Sequence, residues 1–175
     1  MDPFAILGLE PRFDLDAAML EDRHRELSRV LHPDKHVGKA ASERRMALSR
    51  AIEVNEAFRI LKDPVRRAQS LFEQHGIPTG ESSQTKASPA LLMDMMEARE
   101  ELAEAARDKN LSKVVELGAV MQQREAALIS KLGAALAAAG RDTQKLIEAE
   151  AVLGELRYAK RYLDEVSAFE EALAT

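Results

Sequence analysis

Leu20, His24, Leu27 and Leu31 follow one another at steps of four, three and four residues, and Ala47, Ala51, Val54, Phe58 and Leu61 repeat the pattern after a break. Such steps keep side chains on one face of a coil with about 3.6 residues per turn, so each run predicts an amphipathic helix. Pro33 lacks an amide hydrogen and restricts the residue before it, which ends the first helix. A loop over roughly residues 34–40, containing Gly38, then turns the chain, and the two stripes can face each other as an antiparallel pair. Asp14 or Asp16 is placed to cap the first helix. No cluster of β-branched residues competes with this pattern, and only 4% of the residues are aromatic. The fold class is therefore read as all-α.

Further punctuation extends the helical reading in both directions. A short apolar start, Phe4, Ile6 and Leu7, stops at Gly8. Asp63-Pro64 joins a cap to a proline at the first helical position and opens a helix with Val65, Ala68, Leu71 and Phe72 inward and Gly76 at its stop. Residues 77–87 are rich in Gly, Ser, Thr and Pro without helical period and are read as a linker between residues 1–76 and 88–175. Ser88-Pro89 repeats the cap signature and opens a helix to about Arg107. Asn110 opens another to about Ala139, with Leu111, Val114, Gly118, Met121, Leu128 and Leu132 inside, and Gly140 and Asp142 introduce a third. Three long helices with short turns make a three-helix bundle.

The 175 residues carry 25 Lys and Arg against 30 Asp and Glu, and no cysteine. The cysteine count excludes disulfides and thiolate-held zinc or clusters. No long apolar run spans a membrane and the first residues lack a basic, apolar leader pattern, so a cytoplasmic protein is expected. Residues 23–50 hold eight basic side chains, Arg23, Arg25, Arg29, Lys35, Lys39, Arg44, Arg45 and Arg50, against three acidic ones. A local basic patch on an acidic chain suits an acidic protein partner better than nucleic acid.

The tripeptide His32-Pro33-Asp34 at the break admits three uses. With His36 it offers metal ligands, but too few others lie nearby. As an acid/base pair it lacks a pocket and an orienting third group. As a solvated turn at the end of a helix carrying Arg25 and Arg29 away from its apolar stripe, it makes a docking tip, with Lys35 beside it. No GxxxxGK[ST] loop is present to hold nucleotide phosphates.

This tripeptide between two antiparallel helices, with DPFAILGL before and VNEAFRILKDPVRRA after it, resembles the J-domain of DnaJ-type co-chaperones across residues 1–76. The resemblance implies docking on an Hsp70-class chaperone in its ATP state, whose ATPase is stimulated by contact with His32, Pro33 and Asp34. A co-chaperone of this kind is not itself an enzyme and needs no cofactor or metal.

In the second half, LLMDMMEAREEL (residues 91–102) has more apolar side chains than one buried stripe needs. Leu91, Met95, Ala98 and Leu102 make the expected inner face, while Leu92, Met93 and Met96 fall on the far side, either packing on the first module or, as expected here, open to a partner. On the last helix, Val152, Leu156, Ala159, Leu163 and Val166 form the expected core stripe, and Tyr158 and Tyr162 are expected on its outer side as anchors. A J-domain, a linker and a bundle beginning in this way resemble the HscB (Hsc20) family over essentially the whole chain. That resemblance implies two partners, the specialised chaperone HscA and the iron–sulfur scaffold protein IscU. Its scaffold-binding patch maps onto Leu92, Met93, Met96, Glu97, Arg99, Glu100, Ala103 and Tyr158. Met96, Ala103 and Tyr158 stand where the family often has Leu, Leu and Phe, which makes the patch smaller and more polar. Two alternatives remain: a general DnaJ-type co-chaperone binding unfolded clients, and a His/Asp metal-dependent hydrolase.

Overall fold

The computed structural model describes residues 1–79 and 88–173, and most of the stretch read as a linker lies outside them. Among the described residues there are seven α-helices, one 3-10 turn and no strand: α1 Pro3–Leu7, α2 Ala17–Val30, the turn Pro33–His36, α3 Ala41–Lys62, α4 Pro64–Gln74, α5 Pro89–Arg107, α6 Leu111–Ala139 and α7 Thr143–Leu173. The chain divides into two compact units, Met1–Gly76 and Ile77–Thr175.

In the first unit, every helix start but that of α3 uses a side-chain cap. Asp2 Oδ1 accepts from the amides of Phe4 and Ala5, Asp16 Oδ1 from Met19, and Asp63 Oδ1 from Val65 and Arg66. Each satisfies amides that the helix itself leaves free. Of the two residues expected to cap α2, Asp16 does so. Phe4 and Leu7 of α1, Leu20 of α2, Val54, Ala57 and Leu61 of α3, and Ala68 and Phe72 of α4 close the core. Further along the α2–α3 pair burial thins: His24, Leu27 and Leu31 are half-buried. His24 is held there by stacking on Phe58, ring centroids 4.1 Å apart, and by a 2.9 Å hydrogen bond to Asn55 Oδ1. The hairpin is thus a thin arm whose far end carries the tripeptide.

Arg23 departs from its place in the expected basic patch. Its Nε donates to the Leu7 carbonyl at 2.8 Å and its Nη1 pairs with Glu26 at 2.7 Å, so it ties α1 to α2. Gly8, at φ +64°, follows Leu7, and a Cβ there would lie 2.9 Å from Arg23 Nη2.

In the second unit α6 and α7 run antiparallel, as the pairings Gly118 with Val166 and Lys131 with Glu155 require. Gly118 is the point of closest approach: a Cβ there would meet Val166 Cγ1 at 2.8 Å. Helix α5 lies antiparallel to α6, through Asp94–Arg124 and Glu101–Lys113, and alongside α7 in the same direction, through Met95–Tyr158 and Arg99–Glu165. Three expectations need correction. Leu111, expected inside, is 40% exposed, because it is the first residue of α6 and stands at the end of the bundle, where fewer neighbours cover it. Tyr162, expected outside, is 2% exposed. Helix α7 packs against both α5 and α6, so its buried arc runs beyond one stripe, taking in Leu146, Leu153 and Tyr162 as well as Val152, Leu156, Ala159 and Val166. Leu163, on the expected stripe, is half-buried.

Candidate functional site

Two surfaces, one on each unit, carry the residues singled out by sequence. On the first, Pro33 stops α2 at Val30, and His32 before it takes the extended backbone that a following proline demands (φ −59°, ψ 134°). The residues expected as open loop instead begin with one 3-10 turn. It is closed by Lys35 N donating to the His32 carbonyl at 3.0 Å, and by Asp34 N donating to His32 Nδ1 at 3.3 Å. Asp34 Oδ2 lies 3.6 Å from the same nitrogen, and His36 Nε2 lies 3.4 Å from the Val30 carbonyl. The turn thereby gathers the imidazole, the ring of Pro33 and the carboxylate at one tip standing in water: the side chains of His32 and Asp34 are 59% and 86% exposed.

Arg25 and Arg29 lie one turn apart on the exposed side of α2, leading to this tip, and Lys35 is exposed beside it. Arg25 pairs with Asp22 at 3.3 Å, an exposed ion pair of small worth. Neither Arg29 nor Lys35 has a carboxylate partner among the described residues. His32 and Asp34 stand open to water, with no pocket around them among the described residues to hold a substrate. Among the described residues no three His, Asp or Glu side chains converge as metal ligands. What this geometry offers is recognition: one shaped, mixed-charge tip with the exposed Arg25, Arg29 and Lys35 leading to it.

On the second unit, α5 is buried deeply only toward its C-terminal end, at Leu102 and Ala105, while Leu91, Met95 and Ala98 of the expected inner face are half-buried. Polar ties hold the remainder. Tyr158 Oη donates to the Met95 carbonyl at 2.8 Å, Arg124 Nη1 reaches Asp94 at 2.7 Å, and Arg99 meets Glu165 through two hydrogen bonds, Nε to Oε2 at 3.2 Å and Nη2 to Oε1. The opposite face of α5 is open. Leu92, Met93 and Met96 are 49%, 63% and 71% exposed, and Glu97, Glu100 and Ala103 are exposed on the same side.

The patch residues therefore divide by what they touch. Leu92, Met93, Met96, Glu97, Glu100 and Ala103 form one outward stripe. Arg99 is exposed but committed to Glu165, and Tyr158 is half-buried with its hydroxyl spent on α5. Burial pushes both tyrosine hydroxyls up, Tyr162 to about 12. Sequence reasoning missed Asp94, Arg124, Glu165 and Phe169. The signal was present for the last two: at about 100° per residue, Tyr158, Tyr162, Glu165 and Phe169 share one side of α7. That side turns out to face α5.

No helix among the described residues is long and apolar enough to cross a membrane. The DnaJ domain family matches residues 2–70, and the family described as the HSCB C-terminal oligomerisation domain matches residues 87–167. The chain is 35% identical to the co-chaperone protein HscB homolog of Pasteurella multocida, over 99% of this chain and 98% of the relative. It is 32% identical to the homolog of Shewanella oneidensis over 99% of each. The fold is similar to that of chaperone HscB from Vibrio cholerae, with TM-score 0.81 and 28% identity over 99% of both chains. It is also similar to human co-chaperone HscB, with TM-score 0.83 over 96% of this chain and 81% of that one, at 23% identity. With the arm, its exposed tripeptide and the bundle matched end to end, the chain belongs to the HscB family of J-domain co-chaperones.

Proposed function

We propose that this chain is an adaptor in iron–sulfur cluster assembly: residues 88–175 bind the scaffold protein IscU, a linker at 77–87 joins them to a J-domain at 1–76, and the J-domain engages the Hsp70-class chaperone HscA and stimulates its ATPase. It works in the cytoplasm, hydrolyses nothing itself and needs no cofactor. His32, Pro33, Asp34, Arg25, Arg29 and Lys35 are the chaperone-binding set. Leu92, Met93, Met96, Glu97, Glu100 and Ala103 contact the scaffold, and Arg99 and Tyr158 belong to the same patch by holding its helix.

The observation that carries this reading is the open α5 face. Three large apolar side chains stand in water on a helix whose inner side is already tied down. Methionine is suited to such a surface, because its unbranched thioether adapts to a partner. Stimulation follows if the tip binds the hydrolysis-competent state of the chaperone more tightly than its other states, since only differential affinity shifts an equilibrium.

Two variants test the two halves separately. His32→Gln is expected to abolish ATPase stimulation of HscA while leaving scaffold binding and melting temperature unchanged. The triple change Leu92→Ala, Met93→Ala, Met96→Ala is expected to weaken IscU binding at least tenfold, by removing roughly 1 kcal/mol or more of apolar contact per side chain. A general client binder would instead bind unfolded polypeptide as well as folded scaffold, and undiminished stimulation by the His32 variant would refute the chaperone half.

A further inference from the structure

At the edge of the outward face of α5 lies an open groove of about 450 Å3 that shares Met96, Arg99, Glu100 and Ala103 with the expected patch and extends it onto α7 at Phe169. It is lined by Met96, Arg99, Glu100 and Ala103 of α5 and by Glu165 and Phe169 of α7. Its walls are of two kinds. Met96, Ala103 and Phe169 are apolar. The polar part holds two carboxylates and one guanidinium, and that guanidinium is already bridged to Glu165. Glu100 is exposed and has no cation partner among the described residues, and the same is true of Glu97 and Glu104 on the same side of the helix.

From this we infer that the groove receives a basic side chain of the scaffold protein, an arginine or a lysine, and that Phe169 is a specificity-determining contact. The inference rests on the scaffold-binding reading of the α5 face. A long cationic side chain has the composition of the groove: a methylene stem that lies along apolar surface and a charged head that needs a carboxylate. Met96, Ala103 and Phe169 take the stem, Glu100 takes the head, and the aromatic ring adds attraction for a cation. An acidic occupant would meet the surplus carboxylate. A purely apolar one would leave Glu100 and the bridged pair partly desolvated without new hydrogen bonds. The Arg99–Glu165 bridge sets the width of the groove by joining its two walls.

The test uses the full chain and purified scaffold protein, with affinity measured between low and high salt. Phe169→Ala is expected to weaken binding roughly five- to twentyfold. Glu100→Gln, an exposed substitution that leaves the core intact, is expected to weaken it roughly threefold at low salt and to flatten the salt dependence. Because both residues touch one side chain, the double variant should lose less than the product of the two single losses. Replacing the responsible Arg or Lys of the scaffold with Met should erase the effect of Glu100→Gln. If Phe169→Ala and Glu100→Gln bind as tightly as the parent while Leu92→Ala or Met93→Ala, outside the groove, binds poorly, the groove is not used and the inference is wrong, although binding through the apolar part of the patch stands. If the parent chain itself fails to bind the scaffold, the underlying reading fails first.

Discussion

At the scale of single residues, the two surfaces depend on side chains that hold others in place. Tyr158 is the clearest case. Read as an exposed anchor, it instead donates to the carbonyl of Met95, the residue just before Met96. Tyr158→Phe keeps the ring and removes only this bond, so a loss of about 0.5–1.5 kcal/mol is expected. Amide exchange should quicken in the first half of α5 and not in α6, and equal protection throughout would count against a strut. Tyr162 predicts a pH effect. Its folded pKa of about 12 lies above the ordinary tyrosine value of 10.0 because burial disfavours the phenolate. Between those values the unfolded chain gives up a proton that the folded chain keeps. Stability is thus fully retained below pH 10 and falls as the pH rises toward 12. In Tyr162→Phe this tyrosine's share of the alkaline loss should vanish, which urea titrations at pH 9 and 11 would reveal.

At the scale of helices, much of the design is legible in short sequence signals. Asp16, Asp63, Ser88 and Asn110 each stand before an apolar run, and each caps the helix expected of it. A cap is a local device, so local sequence discloses it. Burial around a helix is not local. Tyr162 and Leu153 were misjudged or passed over because a single stripe presumes one neighbour, whereas α7 has two. For the same reason Arg23 and Arg25, two residues apart in a basic run, have opposite fates: one reaches a carbonyl of α1, the other points to water. Gly118 permits a sharper test. Alanine there gains about 1 kcal/mol in helix propensity, yet its Cβ would stand 2.8 Å from the stiff side chain of Val166. Overpacking of that kind costs about 1–3 kcal/mol, so Gly118→Ala should destabilise the bundle. In a Val166→Ala background the clash is gone and the same change should stabilise. Identical effects in both backgrounds would mean that the helices do not meet at this point.

At the scale of the whole molecule, the sequence conveyed two different modules and the residues at the tip of one and on the open face of the other. It did not convey the groove at Phe169, because that depends on two helices far apart in the chain lying side by side. The proposed function implies coupling: a tip that addresses a chaperone and a bundle that carries the chaperone's cargo belong to one protein. Coupling of binding events is a free energy shared between sites, and it appears as departure from additivity. The most direct measurement is the steady-state ATPase rate of HscA with this protein alone, with the scaffold alone, and with both. With coupling, the rate with both exceeds the sum of the two separate stimulations. The excess is expected to disappear with either His32→Gln or the Leu92, Met93, Met96 triple variant. A rate equal to that sum, or an excess that survives either variant, would contradict coupling.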